Sequence, residues 1–175
     1  MSVPSGQIRC RGCDFVGVLQ YRPVSLRYAL SDGSFAEGHR DFGWCNDCGG
    51  IRDIEQPLDV RSIQTHVESL KAQRPRGLVA VIDRALGGGS ADKAELQRLG
   101  RLLQLARMRR SPARCLSCGG VQVKPITFDG DGNCVGFAHQ CGGHLYTLPP
   151  DPHAPRFHYR PEVVVLDVEG HRLDR

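Results

Sequence analysis

Val24-Ser25-Leu26-Arg27-Tyr28-Ala29-Leu30-Ser31-Asp32-Gly33-Ser34 decides how the first part of the chain folds. Apolar residues alternate with polar or small ones from Val24 to Leu30, the pattern of a half-buried strand. Asp32-Gly33 follows, and Asp-Gly tolerates the positive φ that a hairpin turn demands. Phe35 to Trp44 is then predicted to return as the partner strand. The hairpin is flanked by two short cysteine motifs. Cys10-Arg11-Gly12-Cys13 lies before it, and Cys45-Asn46-Asp47-Cys48-Gly49-Gly50 closes it.

The same spacing recurs in Cys115-Leu116-Ser117-Cys118, so three of the C-x-x-C type occur among 8 Cys in 175 residues. Such a knuckle is a tight turn that aims two thiolates at one cation, and two knuckles complete a tetrahedron of soft sulfur donors. Disulfides fit poorly, because Met1 to Cys10 has no apolar core of a secretion signal and cytosolic thiols stay reduced. A thioredoxin-like redox motif would show one C-x-x-C on a βαβ unit. Structural zinc is the expectation, with two Zn²⁺ per chain.

The first expected set is Cys10, Cys13, Cys45 and Cys48, its 31-residue gap folded away by the hairpin. The second starts with Cys115 and Cys118. Gly-Gly follows Cys48 and Cys118, where glycine accepts the left-handed turn past a metal. Cys141-Gly142-Gly143 has the same form, so Cys141 is expected as a second ligand. Its partner is expected to be His139, with His144 and then Cys134 as alternatives; the bland reading of Cys134 is a small buried hydrophobe.

These hairpins with knuckles resemble the zinc-ribbon family, over about residues 8–56 and 113–148. The resemblance implies tandem ribbons of the uncharacterised bacterial kind. The expected fold is α+β, two small β-rich zinc-ribbon modules joined by a helical middle segment. The expected divisions are an N-terminal ribbon (1–57), a helical region (58–112) and a C-terminal ribbon with an appended strand (113–175).

In the middle, Asp59 is placed to cap a helix carrying Ile63, Val67 and Leu70 on one face. Arg74 to Gly77 breaks it, and Leu78 to Leu86 is apolar and ambiguous. After Gly87-Gly88-Gly89, Ser90 is placed to cap a helix of about 91–110 with Leu96, Leu99, Leu103 and Ala106 as its stripe, stopped by Ser111-Pro112. A proline-rich connector runs from Leu148 to Pro155. Glu162 to Val168 reads as a strand, expected to extend the second ribbon's sheet.

Charge narrows the function. Residues 76–114 carry nine Lys/Arg against three Asp/Glu, while the chain as a whole has net +4. Arg98, Arg101, Arg109 and Arg114 are therefore candidate nucleic-acid contacts, made to phosphates and not to bases. The alternative is a protein-binding adaptor using ribbon edges and the apolar helix face. Only 6% of residues are aromatic, which argues against a base-stacking single-strand binder. An enzyme is not expected: four donors close each metal shell, and no H-E-x-x-H, G-x-S-x-G or deaminase pattern is present. No run of ~18 apolar residues suggests a membrane span. The expected location is the cytoplasm; the oligomeric state stays open.

Overall fold

The computed structural model describes residues 2–3, 5–73, 90–148, 157–158 and 160–173. The ambiguous segment 78–86 and the connector at 149–155 lie outside them. The described chain is α+β and mostly strands, with two helices.

The Asp-Gly turn forms as expected. β4 (Val24–Ala29) and β5 (Phe35–Gly38) pair antiparallel, from Ala29 opposite Phe35 to Leu26 opposite Gly38, and Gly33 has φ 78°. The return strand is not continuous. It breaks at His39, and β6 (Arg40–Cys45) belongs to another sheet, where it pairs with β7 (Gly50–Glu55) around the Cys45–Cys48 turn. Gly38 is needed at the crossing, since a Cβ there would lie 2.6 Å from the Tyr28 ring.

Each of the larger sheets draws strands from both ends of the sequence. The five-stranded sheet has the order β3-β2-β11-β10-β9, built from β2 (Ser5–Cys10), β3 (Val16–Gln20), β9 (Thr127–Phe128), β10 (Asn133–Ala138) and β11 (His144–Thr147). Within it Leu145 stands opposite Cys10. A second sheet has the order β7-β6-β8, with β8 (Val123–Pro125) bringing Val123 opposite Cys45. The third has the order β13-β4-β5. There β13 (Glu162–Leu166) runs parallel to β4, not in the sheet of the C-terminal cysteines as the sequence suggested. A short pair, β1 (Ser2–Val3) with β12 (Phe157–His158), also joins the two ends. Residues 1–57 and 113–175 are thus interleaved through these strand pairings.

The helices fill the space between. α1 (Val60–Gln73) is capped as read, the Arg61 N–H donating to Asp59 Oδ1 at 3.0 Å. α2 (Ser90–Met108) packs on α1 and on β5. Its buried line is Leu99, Leu102 and Leu105, rotated from the predicted stripe of Leu96, Leu99, Leu103 and Ala106. The rotation follows from packing on two sides, because a helix facing both a helix and a sheet buries a wider arc than one apolar seam.

Two apolar cores result. One joins the five-stranded sheet to β6 and β7, through Ile8, Leu19, Trp44, Ile51, Phe137 and Leu145. The other places Leu105 against Leu26, Tyr28, Val164 and Leu166. Among the described residues no helix is long and apolar enough to cross a membrane.

Candidate metal centres

The four knuckles meet two by two, but not in the predicted pairs. Cys10, Cys13, His139 and Cys141 form one group, and Cys45, Cys48, Cys115 and Cys118 form the other. In each, the ligand atoms all lie within 4.8 Å of one another. The expected sets, Cys10/Cys13 with Cys45/Cys48 and Cys115/Cys118 with Cys141, are corrected accordingly. The physical reason is strand pairing. β2 delivers Cys10 beside β11, and β6 delivers Cys45 beside β8, so each N-terminal knuckle faces a C-terminal one.

Both centres share one plan. A strand ends in the first knuckle, and the second knuckle leads into a strand pairing antiparallel with it. The residue after the first cysteine is latched across. Arg11 N–H donates to the His144 carbonyl and Asn46 N–H to the Gln122 carbonyl, each at 3.0 Å. Backbone N–H groups point at sulfur: Gly12 to Cys10 (3.3 Å), Gly143 to Cys141 (3.4 Å) and Gly120 to Cys118 (3.4 Å). Gly49, Gly119 and Gly142 have φ of 61°, 77° and 80°, the left-handed turn expected after a second ligand.

The donor geometry fits a tetrahedral cation. Sulfurs each ~2.3 Å from one metal stand about 3.8 Å apart in a tetrahedron. Cys45 and Cys118 Sγ are 3.6 Å apart, Cys48 and Cys115 3.9 Å, and Cys10 and Cys141 3.4 Å. His139 Nδ1 lies 3.4 Å from Cys13 Sγ and 3.3 Å from Cys141 Sγ. All eight cysteines are free thiols. The first set is therefore three sulfurs and one imidazole, the second four sulfurs. Neither alternative fourth ligand joins. His144 is exposed on β11, and Cys134 is buried in the apolar core.

Protonation shows what these clusters need. Burial pushes the Cys45 thiol up to about 12 and raises Cys48 as well. The Gly120 N–H lowers Cys118, and the hydrogen bond with His139 brings Cys141 down to about 6. Without a cation, each crowded set ionises unevenly and keeps some of its protons. A divalent cation supplies the charge that lets all the sulfurs ionise together.

The candidate phosphate contacts do not form one patch. Arg109 closes the last turn of α2, its N–H bonded to the Leu105 carbonyl, and it follows buried Leu102 and Leu105 at i+7 and i+4, so it faces inward with its side chain 6% exposed against Glu55. Arg114 spends its guanidinium on carbonyls, Nε on Glu169 (2.7 Å) and Nη1 on Gly119 (2.9 Å). Arg98 is paired with Glu95 through two hydrogen bonds of 2.8 Å. Arg101 is exposed on α2. The reading of Arg109 and Arg114 as phosphate contacts is corrected: both hold the fold.

Two features escaped sequence reasoning. Phe15 and Trp44 flank His139, with ring centroids 4.8 Å and 5.1 Å from the imidazole. Glu55, which the sequence did not single out, has no exposed surface. The adjacency of Trp44 to Cys45 was the one visible hint, an aromatic residue placed directly before a ligand. No protein-family model, curated protein or solved structure matches the chain.

Proposed function

We propose that this is a non-catalytic protein in which two structural Zn²⁺ ions hold ribbon-like units together, and which acts as an adaptor for another protein. The observation that carries it is the pair of four-donor sets. Four protein ligands fill the tetrahedron that zinc prefers and leave no position for water or substrate. Three or four thiolates also load the metal with negative charge, which makes it a weak Lewis acid. Seven cysteines read as metal ligands need reduced sulfur, which suits a cytoplasmic setting.

The adaptor reading rests on an open sheet edge. β3 is the edge strand of the five-stranded sheet, and its Val16 and Val18 are 53% and 51% exposed. A groove of about 430 Å³ runs beside it, bounded across the way by Gly49 to Asp53, where β7 is the edge of its own sheet. Edge backbone with alternating apolar side chains suits an extended peptide added as a further strand. The nucleic-acid reading is weaker, because Arg109 and Arg114 are engaged internally.

Native mass spectrometry tests the metal, with two zinc ions per chain expected. Displayed random peptides, selected against the wild type and against Val16→Lys/Val18→Lys, test the surface. Enrichment lost in the variant supports the adaptor. Retention on heparin and a DNA or RNA shift, both lost in Arg98→Glu/Arg101→Glu, would replace it with nucleic-acid binding.

A further inference from the structure

His139 is the one nitrogen donor in the two sets, and its orientation is the least secured. A metal-bound imidazole is ordinarily fixed by a hydrogen bond from its second ring nitrogen. Here the ring's polar contacts among the described residues run through Nδ1 to the sulfurs of Cys13 and Cys141. Aromatic packing holds the rest of the ring. Phe15 lies against it tilted by 32°, and Trp44 stands edge-on at 82°. Trp44 is itself wedged against Phe15 (5.3 Å) and Phe137 (5.7 Å).

Trp44 is only 2% exposed, yet its Nε1 has no hydrogen-bond partner among the described residues. Burying an indole N–H unpaired costs stability, so packing volume alone is a poor reason for tryptophan at this position. A large rigid ring wedged between the imidazole, Phe15 and Phe137 is a better one, because it limits how the imidazole can turn. The next residue in β6 is Cys45, a ligand of the other centre.

We propose that Trp44 is a positioning residue that couples the two metal centres. Metal at the Cys45/Cys48/Cys115/Cys118 set fixes the end of β6, which seats the indole. The seated indole holds His139 with Nδ1 toward Cys13 and Cys141. The three-sulfur centre therefore binds metal more tightly once the four-sulfur centre is filled, and by reciprocity the converse holds. This rests on the reading of both sets as metal sites.

The test loads the full-length metal-free chain with Co²⁺, whose ligand-field bands differ between four-sulfur and three-sulfur, one-nitrogen shells. Trp44→Leu is expected to take two Co²⁺ at saturation. Its three-sulfur centre should yield to a competing chelator with affinity weakened about 10-fold, the low end of what groups orienting a metal ligand contribute. The four-sulfur centre should be unchanged while the three-sulfur centre is empty and weakened by the same factor once it is filled, and Trp44→Phe should restore both. Cys118→Ser, which gives no ligand to the three-sulfur centre, should weaken it too. An unchanged three-sulfur centre in Trp44→Leu overturns the coupling, and so does a four-sulfur centre weakened even while the three-sulfur centre is empty. If Trp44→Leu does not fold, Cys118→Ser decides alone, and an unaltered three-sulfur centre there overturns it. Wild type that binds no Co²⁺ would instead strike the metal reading itself.

Discussion

Glu55 and Arg109 form a forked ion pair in which the carboxylate is wholly buried: Arg109 Nη1 is 2.9 Å from Oε1 and Nη2 2.6 Å from Oε2. Two more donors complete the carboxylate, Tyr28 Oη at 2.8 Å and the Arg114 N–H at 2.6 Å. Burial, and then the Glu55 charge, hold the Tyr28 phenol above its ordinary value, so it stays a donor. Gly170, with φ 81°, closes over the pair; a Cβ there would lie 2.6 Å from Arg109 Nη2 and 2.7 Å from Glu55 Oε1. One ion pair thus ties β7, β4, the end of α2 and the C-terminal turn.

Removing one partner leaves a buried charge. Arg109→Ala is expected to lower the unfolding free energy by ~3–5 kcal/mol, read from urea midpoints. A loss below about 1 kcal/mol, the range of exposed pairs, would show that the pair is not buried in solution. Arg109→Glu is for the same reason a poor test of nucleic-acid binding, since it attacks the fold first.

The grouping of ligands is tested by paired substitutions. Cys10→Ser/Cys141→Ser should leave one metal per chain in native mass spectra, and Cys45→Ser/Cys115→Ser likewise. Cys10→Ser/Cys45→Ser should disable both centres and leave none. One metal retained in that last variant would favour pairing by nearness in sequence.

In the metal-free protein the thiols should separate by pH. Cys141, held at about 6 by His139, is a thiolate at neutral pH, whereas Cys45, pushed to about 12 by burial, is not. The Cys141 contribution to folding is full above the ordinary thiol value of 9.0 and fades as pH falls through about 6. That of Cys45 is full below 9.0 and fades as pH rises through about 12. Alkylation followed by peptide mass spectrometry should label Cys141 with an inflection near pH 6 and leave Cys45 unlabelled until strongly alkaline pH. Equal labelling at pH 7 would count against both assignments.

Two glycines should respond in opposite directions. A Cβ at Gly143 would sit 2.6 Å from Gly12 N and 2.7 Å from Cys10 Sγ, so Gly143→Ala should wedge the knuckles apart and release the first metal. Gly100 lies within α2 with open space around it. Gly100→Ala should raise stability by ~0.5–1 kcal/mol, measured by thermal unfolding with both metals retained.

The sequence disclosed what local chemistry controls. The Asp32-Gly33 turn, the Asp59 cap, the knuckles and the glycines behind Cys48, Cys118 and Cys141 depend on neighbours a few residues away. Knuckle pairing does not. Four knuckles can pair in three ways, and loop length barely separates them, since each doubling of a loop costs only about 0.6 kcal/mol. Joining Cys48 to Cys115 across 67 residues, instead of Cys13 to Cys45, is one such doubling. The parallel docking of β13 on β4 and the inward turn of Arg109 were hidden for the same reason: each depends on a partner far along the chain.

The two centres are nested, one clasping Cys10 to Cys141 around another that clasps Cys48 to Cys115. Neither half of the chain owns a complete ligand set, and none of the larger sheets belongs to one half. In this respect the molecule is a heterodimer whose subunits are sewn together between Gln73 and Ser90. Severing that seam leaves two fragments with complementary strands and half-filled tetrahedra, which metal can rejoin. In this fold each fragment alone holds only two ligands of either centre, so both halves are needed to fill them as they stand.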